Sequence, residues 1–230
     1  INKTKKFEII KMHRTVNNLI EIKNQLKEYN TQLIENKTKI IAVSKTFSVD
    51  QILPLVEYGH IDFGENKVQE ANAKWPEIKK KYPLIKLHMI GKLQTNKVKF
   101  VLPIFDYIHS LDNYKLAKKS SEEQKKYNKK LKIFIQINIG QESQKSGIEP
   151  GELNNFYLDC TNNLDLDIIG IMCLPPIESD NDYYFLKMSE LIKKFPIKEL
   201  SMGMSNDYLK AYGSGATFLR IGSKIFGKRD

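Results

Sequence analysis

Apolar, β-branched runs alternate with amphipathic segments along the whole chain, and this alternation restricts the fold more than any other feature of the sequence. The first run is Lys39-Ile40-Ile41-Ala42-Val43-Ser44. Further strands are predicted at Ile61 to Gly64, Lys86 to Ile90, Tyr107 to Ser110, Leu131 to Ile139, Leu166 to Met172, Glu199 to Met202 and Thr217 to Ile221. Helical segments follow them at Val49 to Tyr58, Val68 to Lys81, Thr95 to Val101, Asn113 to Asn128, Pro150 to Asn162, Asp182 to Lys194 and Asn206 to Tyr212. Ser48 and Gly59 bracket the first of these as a candidate N-cap and a C-terminal stop. Strict β-α alternation predicts a parallel sheet covered by helices, and eight such units in 230 residues suit the compact end of the (β/α)8 TIM-barrel range. An open doubly wound sheet is the competing arrangement, but no Gly-x-Gly-x-x-Gly follows the first strand to favour it. An extra N-terminal helix is predicted from Phe7 to Tyr29, where Ile9, Met12, Val16, Leu19, Ile22 and Leu26 recur at spacings of three and four. No linker-like composition interrupts the pattern, so residues 1–230 are expected to form one domain.

Composition narrows the function classes. No apolar run approaches the ~20 residues of a membrane span. The charged stretch Ile1 to Lys11 lacks the apolar core of a signal peptide, and the first residue is Ile1 rather than Met. Cys160 and Cys173 offer neither a disulfide framework nor metal-ligand spacing, which points to a reducing, cytoplasmic setting. The net charge of +10 raises the question of nucleic acid. Yet only Arg14, Arg220 and Arg229 among the 37 basic residues are arginines, and the lysines are scattered. Solvated helix faces and an anionic small ligand account for that charge better than a nucleic-acid surface.

In a barrel the functional groups gather where strands end. Reading those positions alone yields Lys45 after the first strand, Glu65 and Asn66 after the second, His88 on the third, Asn138 after the fifth and Arg220 on the eighth. A lysine directly after an apolar strand is a candidate nucleophile toward aldehydes when burial removes its proton. The same lysine equally suits a side chain that snorkels from the rim or pairs with Glu65. Ser205-Asn206-Asp207 reads as a helix N-cap, and Gly222-Ser223 as the start of a last short helix. Helix starts of this kind, after the last two strands of a barrel, suit a phosphate. Arg220 carries a charge that needs a partner, either a structural carboxylate or a ligand. His88 also fits a satisfied core histidine, and Asn66 a helix cap.

These residues carry a family resemblance as well. Ile41-Ala42-Val43-Ser44-Lys45-Thr46, Phe63-Gly64-Glu65-Asn66-Lys67-Val68-Gln69-Glu70 and His88-Met89-Ile90-Gly91-Lys92-Leu93-Gln94-Thr95-Asn96-Lys97 resemble successive signatures of the pyridoxal phosphate homeostasis protein family. Gln136-Ile137-Asn138 with Lys145-Ser146-Gly147, then Leu200 to Ser205, then Arg220 to Asp230 complete the match in family order. The resemblance implies a barrel like the N-terminal domain of alanine racemase, with pyridoxal 5'-phosphate as cofactor. It makes Lys45 the Schiff-base lysine, Ser205, Gly222 and Ser223 the phosphate cradle, Arg220 the partner of the pyridine nitrogen, and Asn66 a neighbour of the ring. Lys67, Lys92 and Ser223 depart from the residues frequent in the family, and Ser223 keeps the hydroxyl.

The implied arginine bears on activity. Opposite a pyridine nitrogen it disfavours protonation, which makes the ring a poor electron sink. Racemisation needs a second acid/base across from the lysine. In alanine racemase a separate β domain supplies a tyrosine, and no such domain is expected here, which leaves Tyr107 and His109 as candidates. The sequence therefore points first to a non-enzymatic protein that buffers or delivers the cofactor, with cofactor-dependent apoenzymes or cofactor-supplying enzymes as partners and a monomeric state. A weak or specialised amino-acid racemase is the alternative.

Overall fold

The computed structural model describes residues 12–29, 38–176 and 181–228. Among them, eight parallel strands close into a barrel in sequential order. They are β1 (Lys39–Val43), β2 (Asp62–Glu65), β3 (Lys86–Met89), β4 (Tyr107–Leu111), β5 (Lys132–Ile137), β6 (Asp167–Cys173), β7 (Glu199–Ser201) and β8 (Phe218–Ile221). The helices are α1 (Arg14–Tyr29), α2 (Val49–Glu57), α3 (Val68–Lys81), α4 (Val98–Val101), α5 (Tyr114–Tyr127), α6 (Leu153–Leu158), α7 (Asn181–Ile192), α8 (Tyr208–Gly213) and α9 (Ser223–Phe226). Strand β8 pairs with β1, placing Phe218 opposite Lys39 and Arg220 opposite Ile41. That closure removes both sheet edges and excludes the open doubly wound alternative.

Alternation along each strand sorts its side chains into two environments. Ile40, Ala42, Phe63, Leu87, Met89, Ile133 and Ile135 point outward into the apolar layer shared with the helices. Ile41, Val43, Tyr107, Phe134, Met172 and Phe218 form a separate cluster inside the barrel. Both faces are therefore buried, which is why the strands read as continuous apolar runs. Two residues beyond Val43, the inward row of β1 reaches Lys45.

The extra helix has a structural reason. The final helix α9 is only four residues long, too short to cover β8 and β1. Beside it lies α1, burying Val16, Leu19, Ile22 and Leu26. Asn18 Nδ2 donates to Ile225 O (2.8 Å), Arg14 donates to Phe226 O (3.0 Å), and the Tyr208 hydroxyl donates to Gln25. The N-terminal helix thus completes the outer ring. The part of the expected helix before residue 12 lies outside the described residues.

Boundaries differ from expectation where loops compete for the backbone. Strand β5 stops at Ile137 because the N–H of Asn138 turns to Ile148 O (3.0 Å). The stretch expected as one helix from Thr95 splits into a 3₁₀ turn, Thr95–Lys97, and α4. The segment expected from Pro150 becomes helical only at Leu153 and ends in a wide turn, Asp159–Asn163. There the N–H of Leu164 reaches back to Asp159 O (3.1 Å). Ser48 sits at the N-cap of α2 without a side-chain cap bond, and Gly59, at φ +91°, ends that helix as expected. No helix of the described residues is long and apolar enough to cross a membrane.

Candidate functional site

A cavity of about 1020 Å³ opens at the C-terminal ends of the strands, and Lys45, Asn66, Ser205, Arg220, Gly222 and Ser223 all line it. The six residues singled out from sequence, which lie on four different βα units, are therefore brought to one place. Gln136, Asn138, Lys145 and Met204 share its wall. Glu65 and His88, which had been candidates for the same lining, do not.

Lys45 is half-buried and continues the inward row of β1. The residues on either side of it are pinned from behind. Lys74 on α3 donates to the carbonyls of Ser44 (3.0 Å) and Phe47 (3.4 Å) and pairs with Glu65 (2.8 Å) and Glu70 (2.9 Å). The N–H of Thr46 donates to Glu70 (2.6 Å), and Thr46 itself stands at φ +69°, a left-handed conformation unfavourable for a β-branched residue. Burial opposes ionisation of Glu70, but the Lys74 and Thr46 hydrogen bonds outweigh it and hold its carboxyl below the usual range. Glu65 lies behind the sheet, accepting from Ser44 Oγ (2.7 Å) and Trp75 Nε1 (3.0 Å). The suggested Lys45–Glu65 pair is thus replaced by Lys74–Glu65, because outward-facing Glu65 and inward-facing Lys45 lie on opposite sides of the sheet.

Asn66 does not cap α3, whose N-cap position is Lys67. Its Oδ1 is buried and lacks a hydrogen-bond partner, an arrangement that a ligand donor or ordered water at the cavity wall would relieve. Arg220 is 5% exposed. Its Nη1 donates to Ser201 Oγ (2.7 Å) and its Nη2 to Cys173 O (2.8 Å). Among the described residues it makes no ion pair within 4 Å, although the Asp207 carboxylate acts on it across the cavity that both line. Ser205 does not cap α8, where Asp207 stands at the N-cap position. Its Oγ instead accepts from the N–H groups of Gly222 and Lys224 (both 3.3 Å), tying the loop after β7 to the start of α9. The Ser205 hydroxyl and the start of α9 thus meet at the cavity wall, with the Gly222 N–H engaged by Ser205.

Beneath Arg220 a row of polar side chains crosses the barrel. Ser201 Oγ is 2.8 Å from His109 Nδ1; His109 Nε2 is 3.0 Å from His88 Nδ1; His88 Nε2 is 3.0 Å from Asp62 Oδ1. His88, His109 and Ser201 are fully buried. Burial pushes both histidines below their ordinary pKa, His109 well below it with help from the His88 and Arg220 charges. Burial works against ionising Asp62, but the His88 hydrogen bond and the nearby Lys39 charge keep its carboxyl below the usual range. Tyr107 stacks on His88 with ring centroids 4.2 Å apart, and burial pushes its hydroxyl up to about 12. Neither Tyr107 nor His109, the residues considered for a second acid/base, lines the cavity. Sequence reading named His88, His109 and Arg220 separately and missed that they are joined. The signal was their shared parity: Asp62, His88, His109, Ser201 and Arg220 all occupy inward positions of their strands. No cluster of three or more metal-ligating side chains occurs among the described residues.

Comparison with known proteins follows the same lines. The family described as "Alanine racemase, N-terminal domain" matches residues 18–230. A Pasteurella multocida protein named pyridoxal phosphate homeostasis protein is 37% identical over 206 residues, 85% of this chain and 88% of that protein. A protein of the same name from Escherichia coli K12 is 32% identical over 230 residues, 95% of this chain and 98% of its own. PipY of Synechococcus elongatus, solved with PLP bound, is 29% identical with a TM-score of 0.80, covering 93% of this chain and 100% of that one. An alanine racemase from Clostridium difficile superposes with a TM-score of 0.71 at 15% identity; 94% of this chain matches 57% of that enzyme, a likeness of fold alone.

Proposed function

The chain belongs to the alanine racemase N-terminal domain family, among the pyridoxal phosphate homeostasis proteins, and from that premise we propose that it binds pyridoxal 5'-phosphate to buffer or deliver it inside the cell. The observation that carries this reading is the meeting of an amine, a buried guanidinium without an ion pair among the described residues, and a hydroxyl-amide cluster on one cavity. These three groups suit the aldehyde, ring nitrogen and phosphate of one small molecule. In this reading Lys45 condenses with the aldehyde to a Schiff base, releasing water, and hydrolysis frees the cofactor again. Ser205, Gly222 and Ser223 hold the phosphate, Arg220 donates to the ring nitrogen, and the unpartnered Asn66 Oδ1 lies beside the ring.

Holding rather than turnover is the function this site supports best. Among the described residues no tyrosine or histidine lines the cavity to act as a second acid/base opposite Lys45. We extend the reading to a single-domain monomer in the cytoplasm, handing the cofactor to apoenzymes or receiving it from supplying enzymes.

Incubating the protein with pyridoxal phosphate, then reducing with borohydride, is expected to fix one adduct on the Lys45 peptide. Lys45→Ala is expected to abolish it while leaving thermal unfolding within about 1 kcal/mol of wild type, because the side chain is half-buried. A wild-type protein without an adduct, or one modified elsewhere, overturns the reading. Rapid exchange of amino-acid α-protons in heavy water would turn it toward a racemase.

A further inference from the structure

The row of side chains beneath Arg220 has a fixed direction, which follows from its two ends. A guanidinium has only donors, and an ionised carboxylate only acceptors. Arg220 Nη1 therefore gives its proton to the Ser201 hydroxyl oxygen (2.7 Å), and the Ser201 proton is left for His109 Nδ1 (2.8 Å). With Nδ1 accepting, neutral His109 carries its proton on Nε2 and donates to His88 Nδ1 (3.0 Å). His88 is forced into the same tautomer and donates from Nε2 to Asp62 (3.0 Å). One arrangement satisfies the Ser201 hydroxyl and both nitrogens of each imidazole, and its four hydrogen bonds all point from the mouth of the barrel toward its floor.

Resting on the proposed function, we infer that Ser201, His109, His88 and Asp62 act as a one-way relay of positioning residues that holds Arg220 as a charged donor toward the ring nitrogen of pyridoxal phosphate, with Asp62 as its remote counter-charge. The surroundings favour this single state. Both imidazoles are clamped by aromatic rings, His88 by Tyr107 (4.2 Å between centroids) and His109 by Phe134 (4.2 Å). Water is excluded at the two histidines, each 0% exposed, whereas Asp62 retains some contact with solvent. The titratable groups that reach the row are Arg220 at the top, with Asp207 and Cys173 beside it, and Lys39, His60, Asp106 and Asp62 below. Within the row itself the cation, Arg220, stands at the mouth and the carboxylate, Asp62, at the floor, the polarity that the hydrogen bonds require. A neutral His109 beneath Arg220 also adds no second cation, so the guanidinium stays protonated despite its burial.

The test uses the full-length protein without added cofactor, labelled with ¹⁵N-histidine. His88 and His109 are expected to show a protonated Nε2 and a bare Nδ1, unchanged from about pH 5.5 to 8.5. Titration of either ring in that range, or a proton on Nδ1, overturns the relay whether or not the cofactor binds. A second measurement compares the affinity for pyridoxal phosphate with that for its analogue carrying carbon in place of the ring nitrogen. Ser201→Ala is expected to weaken the natural cofactor by about tenfold more than the analogue, the worth of a hydrogen bond to a charged group. Ser201→Thr, which keeps the hydroxyl, is expected to restore the difference. An equal loss for both ligands in Ser201→Ala overturns the inference. Failure of the wild type to bind either ligand instead strikes the proposed function, and the histidine spectra distinguish the two.

Discussion

The two ends of the barrel interior are built from the same inward-facing rows and are filled in opposite ways. Toward the strand N-termini, Tyr107, Phe134 and Phe218 interlock, with centroids 5.1 Å apart for Phe134–Phe218 and 5.9 Å for Tyr107–Phe218. Toward the C-termini, two residues further along β1 and β8, the same rows carry Lys45 and Arg220 around a cavity of about 1020 Å³. The dense end has no room for a ligand, and its rigidity supports the open end above it. The polar row from Asp62 to Arg220 is the thread that joins them. The difference separates stability at the floor from binding at the mouth, the division of labour usual in barrels.

That division can be broken from either side. Phe134→Ala removes a fully buried ring from the floor and is expected to cost about 3–5 kcal/mol in urea unfolding. It also withdraws the ring stacked on His109, so a small loss would argue that the floor is looser than its packing indicates. Acid attacks the same end. Burial holds the pKa of His60 down to about 4, against 6.5 when exposed, with His88 and His109 also lowered. The unfolded chain therefore binds more protons than the folded one below about pH 6.5. Stability is expected to be fully present above that value and to fall as pH drops toward about 4, by on the order of 3 kcal/mol from His60 alone. Unfolding free energies that stay flat between pH 7 and 4.5 would contradict neutral buried histidines. At the mouth the smallest effect is expected from Thr46→Gly, which relieves the left-handed conformation and changes stability by no more than about 1 kcal/mol. Slower borohydride trapping at Lys45 in this variant would show that the turn orients the amine; an unchanged rate would show that Lys74 suffices.

Much of this architecture was legible beforehand. The strands were readable because barrel strands are buried on both faces, and α3 was placed at Val68–Lys81 because its apolar face repeats cleanly at Val68, Ala71, Trp75 and Ile78. The helical stretch after β3 was found at its expected bounds but opens with a 3₁₀ turn, and the helix after β5 starts later than expected. Strand β5 ends early because a loop hydrogen bond from Asn138 to Ile148 overrides local propensity. Lys45 was legible as the residue that ends an apolar strand, whereas the clamp behind it was not, since Lys74 was not singled out and Glu65 was offered as a partner of Lys45 itself. Ser205-Asn206-Asp207 was read as a helix cap, and Asp207 does take the N-cap position of α8, but the Ser205 hydroxyl serves a different helix.

By itself the sequence determined the alternation of strands and helices, the parity of each strand and the identity of the residues at the strand ends. These properties are local, set by side-chain period and by the order of residue types along the chain. Only the tertiary structure decided which inward residues meet. His109 and Ser201 lie 92 positions apart and touch at 2.8 Å because closure of the barrel brings the inward rows of β4 and β7 across one narrow interior. The stagger of the strands, which no single segment encodes, sets the level at which each side chain enters, and so turns separate polar residues into one connected path beneath Arg220.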